Sequence, residues 1–110
     1  MSLSIFDTLT NYFEDSSLFV GANNIELLVN TYQDISDADN VKINVIIPSD
    51  PIIEVVWEGS IIDSQYIQYY IQSTDIPVSG LYKLYAEVNW ADGTKLYGET
   101  AILKILNPGE

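Results

Sequence analysis

From Leu18 onward, apolar residues recur at every second position, the period of a strand that lays one side on a core. Ile25, Leu27 and Val29 alternate with Glu26, Leu28 and Asn30, and the polar run "TYQDISDADN" then marks a turn. In "VKINVII", Val41, Ile43, Val45 and Ile47 share one side. "PSDP" at 48–51 ends that run, because each proline fixes its own φ and restricts the residue before it. "IIEVVWEG" is the third run. Between Gln65 and Gln72, Ile67, Tyr69 and Ile71 oppose Tyr66, Gln68, Tyr70 and Gln72. Tyr82, Leu84, Ala86, Val88 and Trp90 form one side of a longer strand, Asp92-Gly93 supplies a turn that tolerates positive φ, and Ala101, Leu103 and Ile105 restore the inward side on the return. Six or seven short strands, with turn signals every 8 to 14 residues or so, predict an all-β antiparallel sandwich of immunoglobulin-like type. Its expected core is Ile25, Leu27, Val29, Val41, Ile43, Val45, Val55, Trp57, Ile67, Tyr69, Ile71, Leu84, Val88, Trp90, Ala101, Leu103 and Ile105. Gly98, inside the return strand, reads as a bulge or a packing accommodation.

The first 15 residues follow another period. Ile5, Phe6, Leu9, Tyr12 and Phe13 fall at i, i+1, i+4, i+7 and i+8, one stripe of a helix, and Ser4 with Asp7 resembles a capping pair. The spacing predicts a helix over about 4–14, with residues 1–16 as an amino-terminal anchor segment and 17–110 as the sandwich domain. A helix of three turns is marginal alone in water, so the stripe needs cover, either from its own sheets or from a neighbouring subunit.

Charge narrows the partners. Four Lys, no Arg, no His and 16 acidic residues give a net charge of −12 on 110 residues, which repels a polyphosphate backbone and makes nucleic acid a poor partner. The chain has no Cys, so neither a disulfide framework nor thiol chemistry is available. The start lacks a basic n-region and an apolar h-region, and no apolar run nears the roughly 18 residues of a membrane span, so a protein made in the cytosol without a signal peptide or membrane insertion, and left there unless it leaves as part of an assembly, is expected. Without His and Cys, triad nucleophiles lose their usual base and zinc its commonest ligands. Glu54 and Glu58 lie on one side of a strand, roughly 13 Å apart, too far for most paired-carboxylate chemistry. No catalytic residues and no cofactor are expected. Asp34, Asp37 and Asp39 alternate as calcium ligands do, yet the central Gly and the bidentate Glu of an EF-hand loop are missing, so they are weak metal candidates in a solvated loop.

The outward sides carry more apolar material than solvent-facing strands need. Leu28, Ile46, Ile52, Val56, Tyr85, Tyr97 and Ile102 all oppose the core positions. Clustered, such side chains make a surface that another polypeptide covers. The expected docking residues are therefore Ile5, Phe6, Leu9, Tyr12 and Phe13 of the stripe, with Leu28, Ile46, Tyr85, Tyr97 and Ile102 of the strands. An alternative is a carbohydrate- or host-surface-binding platform built from Tyr66, Tyr70, Tyr82, Tyr85, Tyr97, Trp57 and Trp90, whose sign would be two exposed, coplanar rings on one sheet.

The segments "LFVGANNIELLV", "DISDADNVKINVIIPSD" and "TDIPVSGLYKLYAEVNWADGTKLYGETAILKIL" resemble those of small tailed-bacteriophage virion proteins with an immunoglobulin-like domain, akin to the N-terminal domain of phage baseplate upper proteins. The matching motifs include Gly80-Leu81-Tyr82-Lys83-Leu84-Tyr85-Ala86-Glu87-Val88 and Gly98-Glu99-Thr100-Ala101-Ile102-Leu103. They are turn and core motifs, so they specify a fold, and function only by association. The resemblance covers Phe19 to Leu106, and residues 1–16 stand outside it. It implies a non-enzymatic structural protein of the virion, in tail, baseplate, neck or capsid decoration, whose partners are other virion proteins or copies of itself.

Overall fold

Alternation sorts the side chains of each run onto two sides, and in the computed structural model, which describes residues 2–5 and 12–109, the apolar sides meet between two layers of strands. Ten strands follow one another: β1 (Ser2–Ile5), β2 (Tyr12–Phe19), β3 (Ile25–Asn30), β4 (Asn40–Ile47), β5 (Ile53–Glu58), β6 (Ser60–Ile62), β7 (Tyr66–Ile71), β8 (Gly80–Asn89), β9 (Lys95–Tyr97) and β10 (Ala101–Leu106). The first sheet runs β2-β1-β3-β7-β6, and the second runs β5-β4-β8-β10-β2 with β9 also on β8. The architecture is the expected all-β sandwich. Its strand number exceeds the expectation because two runs are each split in two and because β1 and β2 lie in the amino-terminal segment.

The chain changes layers at both margins. β2 pairs antiparallel with β1 through Phe13 and Glu14, then parallel with β10 through Ser17, Leu18 and Phe19. At the other margin, β5 pairs with β4 and, one residue later, β6 pairs with β7. Gly59 is that residue. A Cβ there would stand 2.4 Å from Cγ2 of the fully buried Ile67 and 3.3 Å from the Gln68 carbonyl, so only a hydrogen fits where the strand turns from one layer to the other.

Register places apolar side chains against each other: Ile43 lies opposite Trp57 and Ala86, Val45 opposite Val55 and Leu84, and Leu103 opposite Tyr82. Trp57 of the second sheet stacks on Tyr69 of the first, with ring centroids 5.0 Å apart and planes 11° from parallel, which joins the layers through the core. Of the expected core, Ile25, Val55, Tyr69 and Trp90 are half-buried at its rim, and the others are buried. Loops contribute as well, since Ile35 and Ile76 are fully enclosed although neither belongs to a strand. The hydroxyl of buried Tyr82 both donates to the Val78 carbonyl and accepts from the Val78 amide, the corner that pins the start of a long strand in immunoglobulin-like sandwiches.

The helix expected over 4–14 is corrected by the described parts of that segment. Ser4 and Ile5 belong to β1, Tyr12 to Glu14 belong to β2, and residues 6–11, with Phe6 and Leu9, lie outside the described residues. The physical reason is pairing at a distance. β1 aligns in parallel with β3, from Ser2 beside Glu26 to Ile5 beside Val29, and such ladders satisfy the backbone through partners that local periodicity does not reveal. Among the described residues, the one helical stretch is a 3-10 turn at Ser73–Asp75.

Gly98 starts the break between β9 and β10. Across from it, two residues of β8 separate Leu84 from Glu87, whereas three residues separate Tyr97 from Ala101, so the return strand carries one extra residue, the bulge expected there. The Gly98 amide still donates to the Ala86 carbonyl at 3.0 Å. Ahead of it, the Gly93 amide donates to the Trp90 carbonyl at 3.0 Å, and Gly93 takes a φ of +94° in a three-residue hairpin loop.

Candidate docking surfaces

The strand registers decide which expected docking residues share a surface. On the outer side of the second sheet, Ile46 of β4 lies beside Lys83 of β8, which lies beside Ile102 of β10. One row over, Val56 of β5, Asn44 and Tyr85 align, and in the next Glu58, Lys42, Glu87 and Tyr97 align. Ile46, Val56, Tyr85, Tyr97 and Ile102 therefore occupy one face. Ile46, Val56 and Tyr85 also line one shallow depression with Asn44 and Glu54. Val56 is 48% exposed and Tyr97 55% exposed, values that leave much of both side chains in water. Toward the far end of the face, Leu81 and Phe19 are exposed too; Ile52 is exposed just before β5, and the exposed Ile53 follows the inward parity of its partner Ile47.

Leu28 is not part of this surface. It projects from β3 on the outer side of the first sheet, half-buried opposite Gln68. Ile5, Tyr12 and Phe13 are placed only by their backbones, Ile5 in β1 and the other two in β2.

The outer face of the second sheet also holds a charge pattern that the residue list alone does not display. Lys42, Lys83, Lys95 and Lys104 all project from it, and they are the chain's four cationic residues. Glu54, Glu58 and Glu87 share the face. Glu87 accepts from Asn89 Nδ2 at 2.9 Å and from Asn44 Nδ2 at 3.1 Å. These bonds, the one from Asn89 first, hold its carboxyl below the usual range; partial burial opposes them, and Lys95 and Lys42 add to the lowering. The Tyr85 and Tyr97 rings meet edge to face, 6.0 Å between centroids at 60°, and the Lys95 ammonium lies 5.9 Å from the Tyr97 ring centre.

The aromatic residues proposed as a sugar platform are dispersed. Trp57 and Tyr82 are buried, the half-buried Trp90 donates its Nε1 to Asp37 at 2.9 Å, and Tyr66 and Tyr70 project from the first sheet, away from Tyr85 and Tyr97. The pair of half-buried Tyr85 and exposed Tyr97 on the second sheet is steeply inclined, not coplanar.

Two carboxylates of the Asp-rich loop accept hydrogen bonds from the protein itself. Asp34 Oδ1 accepts from the Ser36 amide at 2.9 Å and from its hydroxyl at 2.6 Å, and these bonds lower the Asp34 carboxyl from its ordinary value. Asp37 holds Trp90, and the Asp39 amide bonds the Asn89 carbonyl at 2.8 Å. Among the described residues, no three His, Cys, Asp or Glu side chains converge to hold a metal, and no helix is long and apolar enough to cross a membrane.

An apolar cleft of about 80 Å³ opens beside the Gly98 bulge, between Val29, Asn30 and Thr31 of the first sheet and Ala86, Leu96 and Glu99 of the second, and reaches Ile43 and Leu84 in the core. Glu99 and Tyr85 are its ionisable lining residues.

No protein-family model matches the chain, and no curated protein matches it. Among solved structures, the chain is similar to the N-terminal domain of phage TP901-1 ORF48, with a TM-score of 0.56 and 10% identity over 96% of this chain and 94% of that one. At that identity the likeness concerns the fold, and it extends over nearly the whole of both chains.

Proposed function

We propose that this chain is a non-enzymatic structural component of a tailed-bacteriophage particle, in tail, baseplate, neck or capsid decoration, and that it works by docking on neighbouring virion subunits. The observation that carries the reading is the fold shared end to end with a phage protein's domain, 96% of one chain on 94% of the other. The outer face of the second sheet supports it, because Val56, Tyr97 and Leu81 stay exposed there at 48%, 55% and 57%. Each such side chain gains about 1.5–3 kcal/mol when fully covered, before ordering costs, so several side by side favour a protein partner. The sugar-platform alternative loses support from the burial of Trp57 and Tyr82 and from the inclined Tyr85–Tyr97 pair.

Mass spectrometry of gradient-purified particles tests the reading. The chain is expected in intact particles at a fixed ratio to the other structural proteins. Its absence from particles whose other components are all detected overturns the proposal.

A further inference from the structure

We infer that the outer face of the second sheet is a self-docking surface, on which a second copy of this chain lies face to face about a two-fold axis. The inference rests on the docking reading above and names its partner. Among the described residues, this face sets four lysines (Lys42, Lys83, Lys95, Lys104) against three glutamates (Glu54, Glu58, Glu87), so it is close to neutral in a chain of net charge −12. Every charged side chain elsewhere is a carboxylate, because the chain has no further Lys and neither Arg nor His. Two copies that meet through any other surface bring carboxylates together, whereas two copies of this face bring apolar residues together with both signs of charge around them. A two-fold contact is self-complementary in this sense, since each lysine of one copy has glutamates of the other within the same patch.

Size agrees with the assignment. Five strands at about 4.8 Å spacing and roughly 25 Å of mean strand length give a face of about 600 Å², at the lower end of the ~800 ± 200 Å² per partner of a standard interface. Ile46, Tyr85 and Ile102 surround Lys83 at the centre, with Val56 on the edge strand β5 and Tyr97 on β9, so apolar side chains and both signs of charge alternate across the face.

Sedimentation equilibrium of the purified chain up to about 200 µM tests this. A dimer is expected, and V56E/Y97E is expected to be monomeric over the whole range with an unchanged far-UV circular dichroism spectrum. Y70E, which places the same charge on the first sheet, is expected to keep the dimer. Raising NaCl from about 50 to 500 mM is expected to leave Kd unchanged or to tighten it, because the contact is balanced in charge while salt screens the repulsion between two chains of net charge −12. A strictly monomeric wild type, a V56E/Y97E dimer, or a Y70E monomer overturns the inference. A loss of affinity beyond about tenfold in salt also overturns it, in favour of the lysine face binding the acidic surface of another molecule. A monomer in solution that is nevertheless found in particles overturns self-docking alone and leaves the virion reading standing.

Discussion

The two outer faces of this sandwich are built on the same alternation and filled differently. On the first sheet, Glu26, Asn30, Gln68 and Tyr70 bond one another or their neighbours: Gln68 Nε2 donates to Glu26 at 2.6 Å and to the Tyr70 hydroxyl at 3.3 Å, and Gln65 donates to Asn30 at 2.9 Å. The second sheet instead mixes exposed apolar side chains with all four lysines. The inner sides answer to one demand, exclusion of water, so both are dominated by Val, Ile and Leu with an aromatic ring from each, Tyr69 and Trp57, stacked between them. The outer sides answer to whatever lies beyond them. A cross-strand amide ladder satisfies its own polar groups, while an apolar and charge-balanced face leaves its gain unrealised until something covers it.

The comparison breaks most completely when the layers come apart. Trp57→Ala removes the ring stacked on Tyr69 and leaves a cavity between the sheets, with an expected loss of about 3–5 kcal/mol in urea unfolding. Both faces should then be lost in one transition. Gly59→Val acts at the margin where β5 becomes β6: even its Cβ falls 2.4 Å from Ile67 Cγ2, and that branched side chain is fully enclosed and has nowhere to retreat. A loss of about 1–3 kcal/mol is expected, measurable by thermal unfolding. Tyr82→Phe keeps the ring and removes the bonds to Val78, for about 1–2 kcal/mol, with the long β8 strand less protected at its start in hydrogen exchange. Exposed changes that leave cross-strand pairs intact should stay within about 0.5 kcal/mol in folding stability; V56E/Y97E also removes the Tyr85–Tyr97 contact and sets a carboxylate opposite Glu87, so a further cost of about 0.5–1.5 kcal/mol is expected, small enough to leave the variant folded while its association is measured.

Much of the fold was legible because strand parity is a strong signal where one face is buried. Ile43, Trp57, Ile67, Leu84 and Leu103 were assigned inward by period alone, and each is enclosed. Ile35 and Ile76 escaped that logic, since each is a single apolar residue in a polar loop and no period attaches to it. The amino-terminal segment misled for a related reason: the spacing of Ile5, Tyr12 and Phe13 fits a helical stripe, whereas the partners that make β1 and β2 strands are β3 and β10, distant in sequence. Ile46, Tyr85, Tyr97 and Ile102 were rightly placed on the outward side, but their sharing one face, and Leu28 lying on the other, depends on strand order, which parity does not carry. The lysine pattern was available in part. Lys42 and Lys83 sit at outward parity within their runs, yet Lys95 joins them only because the bulge after Tyr97 resets the return strand.

The smallest effect concerns a single carboxylate and separates the two faces by pH. Glu87 on the second sheet accepts from Asn89 and Asn44, and with Lys95 and Lys42 nearby its carboxyl lies below the ordinary value of 4.5. A depressed folded-state value stabilises the fold fully above the unfolded value and is lost as pH falls through the folded one, so the contribution disappears on going below about pH 4.5. Glu87→Gln removes the charge and one acceptor, and should lower Tm modestly at pH 7, where the carboxylate is fully ionised. As the pH falls below 4.5 and through the lowered folded-state value, the wild-type side chain takes up a proton and the gap should close. Asp34 and Asp92 are lowered in the same direction by their own loop hydrogen bonds, but both are present in wild type and variant, so the difference between the two Tm profiles isolates Glu87. Parallel profiles from pH 7 to pH 3 would mean that the Asn44, Asn89 and lysine surroundings of Glu87 do not hold its charge in the fold, and that the second face owes its order to the strands beneath it.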